Sequence, residues 1–153
     1  RYVADQVLAA VSFKGVDSLL DVGGGHGACV RRVGEAYSSL RVGVFDLPEV
    51  AQSAQLPLES ALGYERVSCH PGYFFEDAIP QGYAMVSLVR ILHDHDDEPA
   101  AALLRYIRKR LSPGWILALT TDRRSATGHR KPYRRYGLTK RLSGLIDSLT
   151  RKA

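Results

Sequence analysis

Four glycines stand within five residues at Gly23, Gly24, Gly25 and Gly27, and a carboxylate, Asp21, precedes the first of them by two. Glycines so placed let the backbone turn sharply and leave no side chain between it and a ligand. A helix beginning behind such a turn offers free N–H groups and the positive end of its dipole. A second carboxylate, Asp46, follows Asp21 by 25 residues, close to the offset at which an acid accepts hydrogen bonds from ribose hydroxyls. Tyr73 and Phe74, in the run GYFF, could stack on an adenine ring or simply belong to the core. The pKa of a histidine lies near neutrality, so His93 can take a proton from a hydroxyl; it can equally be a satisfied loop residue or a helix cap.

The spelling of the glycine stretch admits two ligands. Gly23, Gly25 and Ala28 satisfy the dinucleotide fingerprint G-x-G-x-x-G/A. Asp21, Gly23, Gly25 and Gly27 satisfy the S-adenosylmethionine version, an acid and a spacer before G-x-G-x-G. Asp21 favours the second, because a carboxylate can face a sulfonium cation but opposes a pyrophosphate. A nicotinamide-dependent oxidoreductase and a plain tight turn stay open on the glycines alone.

Alternating strands and helices would position these residues. Val16, Leu19, Leu20 and Val22 read as a buried strand running into the turn, with a helix from Ala28 to about Tyr37. Arg41 to Asp46 is a second strand, and Pro48 suits the first turn of the next helix. Val50, Ala54, Leu58 and Leu62 give that helix a partial apolar stripe, which Pro57 is expected to interrupt before Gly63 ends it. Val67 to His70 is a short third strand. Ala84 to Leu92 is a fourth, apolar on both faces except for Arg90, which we place with the cofactor-binding residues. Ala100, Leu103, Leu104, Ile107 and Leu111 mark a helix, and Trp115 to Thr121 a fifth strand. Val3, Val7, Leu8 and Val11 suggest a leading helix. The pattern is a doubly wound, mostly parallel α/β sheet, with ligands at the C-terminal strand ends.

At 153 residues, one domain with a sizeable core is expected; 45% hydrophobic and 24% charged residues fit a soluble globular chain. No apolar run approaches a membrane span, and the first residues do not form a signal peptide. The chain begins without Met, in mid-pattern, which reads as a fragment. Cys29 and Cys69 form no C-x-x-C pair and read as small buried residues in a reducing compartment, so the expected location is the cytoplasm. Residues 1–122 carry 11 Lys/Arg against 15 Asp/Glu, while residues 123–153 carry 10 against one. We therefore divide the chain into a core, 1–122, and a basic segment with an amphipathic helix, 123–153. The alternation calls for one or two further strands that this segment does not spell. Its arginines and tyrosines could touch nucleic acid, but a solvated end is the favoured reading. His93-x-His95-x-Asp97 has zinc-ligand spacing, yet no further His-rich segment completes a site, and no metal is expected.

In this order, LLDVGGGHG, VFDLPEV, GYFFEDAIP, VRILHDHDDE and LSPGWILAL resemble the S-adenosylmethionine-dependent O-methyltransferases of the plant caffeate and hydroxyindole type and their bacterial relatives acting on carotenoids, bacteriochlorophylls and polyketides. The resemblance covers about residues 1–121. It implies a Rossmann-like methyltransferase core with S-adenosylmethionine as cofactor and S-adenosylhomocysteine as product. Gly23 and Gly25 would hold the methionine part with Asp21 nearby, Asp46 the ribose, and Leu47 and Phe74 the adenine. Tyr73 stands where the family usually has Asp, and His95 where it usually has Trp. His93 matches the family's general base, and its helper acid falls at Thr121, with Asp122 one residue on. A small-molecule hydroxyl acceptor and a homodimer are implied as partners, but the family's dimerisation and lid domain has no counterpart here. A catalytically silent cofactor-binding module is the main alternative.

Overall fold

The computed structural model describes residues 2–89, with 102, 103, 105–107, 109 and 115–119. The chain opens with helix α1, Tyr2–Ala10, and continues β1, Ser18–Val22; α2, Ala28–Ala36; β2, Arg41–Asp46; α3, Pro48–Leu62; β3, Val67–Pro71; β4, Met85–Val89; and β5, Trp115–Leu119. A single 3-10 turn, Tyr64–Arg66, joins α3 to β3. The described positions between 102 and 109 are helical, with Leu103 and Ile107 buried.

The five strands form one sheet in the order β3-β2-β1-β4-β5, every pair parallel. The chain runs outward from β1 to β3, then crosses back to β4 on the other side of β1. That reversal places a crevice at the C-terminal ends of β1 and β4, where open α/β sheets take their ligands. β1 is buried along its whole length, as a central parallel strand covered on both faces must be. On one face Leu19, Val42, Val44 and Val67 pack with Val30 and Val33 of α2 and Ala54 and Leu58 of α3. Phe45, next to Val44 on β2, points to the opposite face and is buried; Leu103 and Ile107 are buried as well.

The expected elements appear with few displacements. Pro57 does not interrupt α3, which runs unbroken for 15 residues. Pro57 sits on the exposed side of that helix, so the Ser53 carbonyl it leaves without an amide faces water rather than the core. The buried stripe is Ala51, Ala54, Leu58 and Leu62, with Val50 half-buried at its margin. Cys29 and Cys69 are half-buried free thiols rather than fully buried ones. Among the described residues no helix is long and apolar enough to cross a membrane. The fourth strand is described as far as Val89 and the fifth as far as Leu119. Arg90, His93, His95, Asp97, Thr121, Asp122 and the basic segment 123–153 lie outside the described residues.

Candidate functional site

The glycine stretch leaves the C-terminal end of β1, at the switch in strand order. Gly23, Gly25 and Gly27 all have positive φ, at 70°, 59° and 81°. The turn closes with the Gly27 N–H on the Gly24 carbonyl, and α2 begins at once, Arg31 donating to the carbonyl of Gly27. Gly27 lies directly over α3: a β-carbon there would stand 2.6 Å from Leu58 Cδ1. One built on Gly25 meets nothing within 4 Å. The same turn is thus packed tightly beneath and open above.

The ends of neighbouring strands are tied to this turn. Gly23 donates to the Phe45 carbonyl at 2.7 Å, and Gly72 to the Asp46 carbonyl at 2.9 Å. Asp46, at the last position of β2, uses both carboxylate oxygens. Oδ2 accepts the Gly25 N–H at 2.7 Å, and Oδ1 accepts the Leu47 N–H at 2.7 Å. Each oxygen keeps a further lone pair. Sequence placed Asp46 at the rim beside the glycines, and the structure brings them into direct contact.

Asp21 sits elsewhere than a carboxylate facing a ligand directly would. It is 1% exposed, below the turn and inside the sheet. Its Oδ1 accepts the Ser87 hydroxyl at 2.6 Å across the β1–β4 pairing, in which Asp21 and Ser87 are register partners. Burial pushes its carboxyl up to about 7; the Ser87 hydroxyl and the Val89 backbone oppose that rise, and the Asp46 charge adds to it. The Cys29 thiol in the first turn of α2 is pushed up to about 12, by burial first and by Asp21 second, so it is a thiol and not a nucleophile at neutral pH. Ser87 is a partner that sequence reasoning missed. The available signal was a lone hydroxyl in an apolar strand, which means little until the register is known.

Around the rim, Leu47 is 47% and Tyr73 49% exposed. The Tyr73 N–H donates to Asp77 Oδ2 at 2.8 Å. Phe74 is half-buried, its ring 6.5 Å from Phe45 and 5.5 Å from Phe75. Phe74 is therefore anchored on the core, whereas Tyr73 and Leu47 offer free surface beside the Asp46 end of the sheet. His26, within the turn, is exposed and lies 3.1 Å by Nδ1 from Ser53 Oγ. Ser53 gives its own proton to the Val50 carbonyl at 2.8 Å, which leaves Nδ1 of His26 as the donor of that contact. Among the described residues no group of three His, Cys, Asp or Glu could hold a metal.

The family model of the O-methyltransferase domain matches residues 1–133. Demethylspheroidene O-methyltransferase of Cereibacter sphaeroides is 43% identical over 112 residues, which is 73% of this chain and 30% of that protein. The solved structure of mitomycin 7-O-methyltransferase superposes with a TM-score of 0.73 at 32% identity, over 83% of this chain and 38% of that one. Human N-acetylserotonin methyltransferase, solved in complex with S-adenosylmethionine, gives 0.67 at 27% identity over 96% of this chain and 39% of its own. The chain thus spans about a third of the length of the relatives it matches.

Proposed function

This chain belongs to the O-methyltransferase domain family, and from that premise we propose that it forms the cofactor-binding part of an S-adenosylmethionine-dependent O-methyltransferase. Its acceptor is a hydroxyl of a small aromatic, polyketide or isoprenoid-type molecule of secondary metabolism. The relatives named above methylate demethylspheroidene, mitomycin and N-acetylserotonin, which supports a small organic acceptor.

One observation carries the reading. The glycine turn stands at the switch in strand order, open above Gly25, with the Asp46 carboxylate bonded to its backbone. The described residues fit the cofactor. The open side of Gly25 admits a ligand against the backbone, Asp46 keeps lone pairs for ribose hydroxyls, and Leu47 and Tyr73 offer apolar surface to an adenine. Gly23 and Gly25 would hold the methionine part, with Phe74 supporting the adenine side from the core. Arg90 is assigned to the same set from its place in the sequence. Ionisation of the buried Asp21 would be favoured by a cation above the turn and opposed by a pyrophosphate, which supports S-adenosylmethionine over a dinucleotide.

When bound, the cofactor supplies a methyl group on a positively charged sulfur. The chain's own residues do the rest. His93, following β4, takes the proton of the acceptor hydroxyl at its imidazole, a contribution of about 10²–10⁴-fold. The glycine turn and Asp46 fix the position of the ribose and the amino-acid end, and positioning of this kind is worth roughly 7–11 kcal/mol of barrier. The enzyme works in the cytoplasm, where Cys29 and Cys69 stay reduced, and as a homodimer in its full-length form.

Calorimetric titration with S-adenosylhomocysteine and with NAD tests the binding step. S-adenosylhomocysteine should bind and NAD should not, and Asp46→Ala should weaken binding about 10- to 100-fold, the value of one or two hydrogen bonds to a charged acceptor. Binding of NAD alone would overturn the proposal. Turnover of His93→Ala in the full-length enzyme tests the base, and near-wild-type rates would remove it. The second reading is a catalytically silent binding module. Retained cofactor binding with no turnover in the full-length protein would identify it.

A further inference from the structure

Asp21 is the one ionisable residue in the buried set of the described chain. Its Oδ1 is taken by the Ser87 hydroxyl. Its Oδ2 lies under the glycine turn, 3.0 Å from where a β-carbon on Gly24 would be. The titratable groups that act on Asp21 from the packed elements are Asp46 from β2 and the Cys29 thiol from α2, with the Ser87 hydroxyl on β4. All are negative or neutral. Among the described residues no Lys, Arg or His side chain pairs with it. A buried carboxylate with polar partners and no cation is costly to ionise. Among the described residues, the side open to a compensating positive charge is across the turn itself, where a β-carbon on Gly25 would meet nothing within 4 Å.

We propose that Asp21 is a positioning residue that links the charge on the ligand's sulfur to a proton: it is protonated while no sulfonium lies above the glycine turn and ionised when one does, so that the site prefers the charged cofactor to the thioether left after methyl transfer, the α-ammonium being common to both. This rests on the S-adenosylmethionine reading above and adds to it a means of discriminating cofactor from product. On binding, the O–H bond of the Asp21 carboxyl breaks, the electron pair stays on the oxygen, and the proton passes to solvent. On methyl transfer the sulfur becomes neutral, Asp21 regains a proton, and the product loses its electrostatic advantage. The Ser87 hydroxyl, which donates to the ionised form, sets where on the pH scale the exchange occurs.

The test is calorimetry of the full-length protein with S-adenosylmethionine and with S-adenosylhomocysteine, from pH 5.5 to 8.5, in buffers of differing ionisation enthalpy. Below neutrality S-adenosylmethionine should release close to one proton more than S-adenosylhomocysteine. Its affinity should rise by about tenfold per pH unit and level off above the carboxyl's own transition. In Asp21→Asn that extra proton should vanish and the ratio of the two affinities should no longer depend on pH. Ser87→Ala should keep the extra proton but move its appearance to higher pH, a shift that a merely structural role would not produce. His26→Gln, which removes the exposed imidazole of the same turn, should leave the effect intact. Equal proton release with both ligands, or release unchanged in Asp21→Asn, overturns the proposal while the cofactor reading stands. If neither ligand binds at any pH, the cofactor reading fails first. Should Asp21→Asn not fold, the Ser87→Ala curve decides alone.

Discussion

Two glycines of one turn, two residues apart, should answer differently to an added methyl group. Gly27 has φ of 81° and its β-carbon would collide with Leu58, so Gly27→Ala combines a left-handed backbone with overpacking. The expected loss is about 3 kcal/mol of unfolding free energy, read from denaturant midpoints. Gly25 has φ of 59° but nothing within 4 Å of its β-carbon, so Gly25→Ala should cost only about 1–2 kcal/mol. It should nevertheless weaken S-adenosylhomocysteine by about tenfold or more, because the methyl occupies the ligand's side of the turn. A Gly25→Ala variant that binds normally would show that the ligand does not approach there. Spacing was enough to find these glycines and Asp46, since strand end and turn are both spelled locally. Spacing could not say that Asp21 would be buried, nor that Asp46 would spend one oxygen on Gly25 and the other on Leu47. Those facts depend on which strands become neighbours. Asp21 meets Ser87 only because β4 returns beside β1, 66 residues later in the chain.

At the scale of elements, the strands were the most legible, and for a physical reason. A parallel strand buried on both faces is written as an unbroken apolar run, and β2 has the bounds the sequence suggests, Arg41–Asp46. The helix α3 was legible in its ends, Pro48 and Gly63, but not in its continuity, because the cost of Pro57 depends on whether the lost hydrogen bond faces water. What holds the far ends of α2 and α3 was not legible at all. Arg66 donates from Nη2 to the carbonyls of Gly34 and Tyr37, both at 2.8 Å, from Nε to Leu40 at 3.0 Å and from Nη1 to Leu62 at 3.4 Å. One guanidinium thereby satisfies carbonyls at the C-terminal ends of both helices and at the entry to β2, where the helix dipoles also favour a cation. Arg66→Met should cost about 2–4 kcal/mol, since several half-buried carbonyls lose a charged donor. Arg66→Lys should recover little of it, because an ammonium cannot fork between four acceptors. Amide exchange should accelerate first around the C-terminal turn of α2. Unchanged exchange there would mean that the four contacts do not secure the helix ends.

For the whole molecule, the site sets a pH dependence that opposes the one set by the rest of the sheet. On the β3 side, His70 is half-buried, 2.7 Å by Nε2 from the Tyr83 hydroxyl, and burial lowers its pKa from 6.5. Below pH 6.5 the unfolded chain takes up a proton that folded His70 resists, so this group draws stability down as the solution becomes more acidic. Asp21 acts in the other direction. Its folded carboxyl titrates at about 7 against an ordinary 3.8, so between those values the folded state holds a proton that the unfolded state has lost. Stability therefore falls as pH rises through that window and stays low above it, by a total on the order of 4 kcal/mol. Subtracting the stability of the wild type from that of Asp21→Asn, pH by pH, cancels His70 and every other shared group. The difference should climb from pH 4 to pH 7 and then flatten, whatever constant offset the amide brings through its contact with Ser87. A saturating concentration of S-adenosylmethionine should abolish much of that climb by supplying the positive charge that the buried carboxylate lacks. Urea midpoints at four or five pH values, with and without the ligand, measure both. A difference that is flat in pH without ligand would mean that Asp21 titrates alike in the folded and the unfolded chain, and that its burial leaves no cost for the ligand's charge to offset.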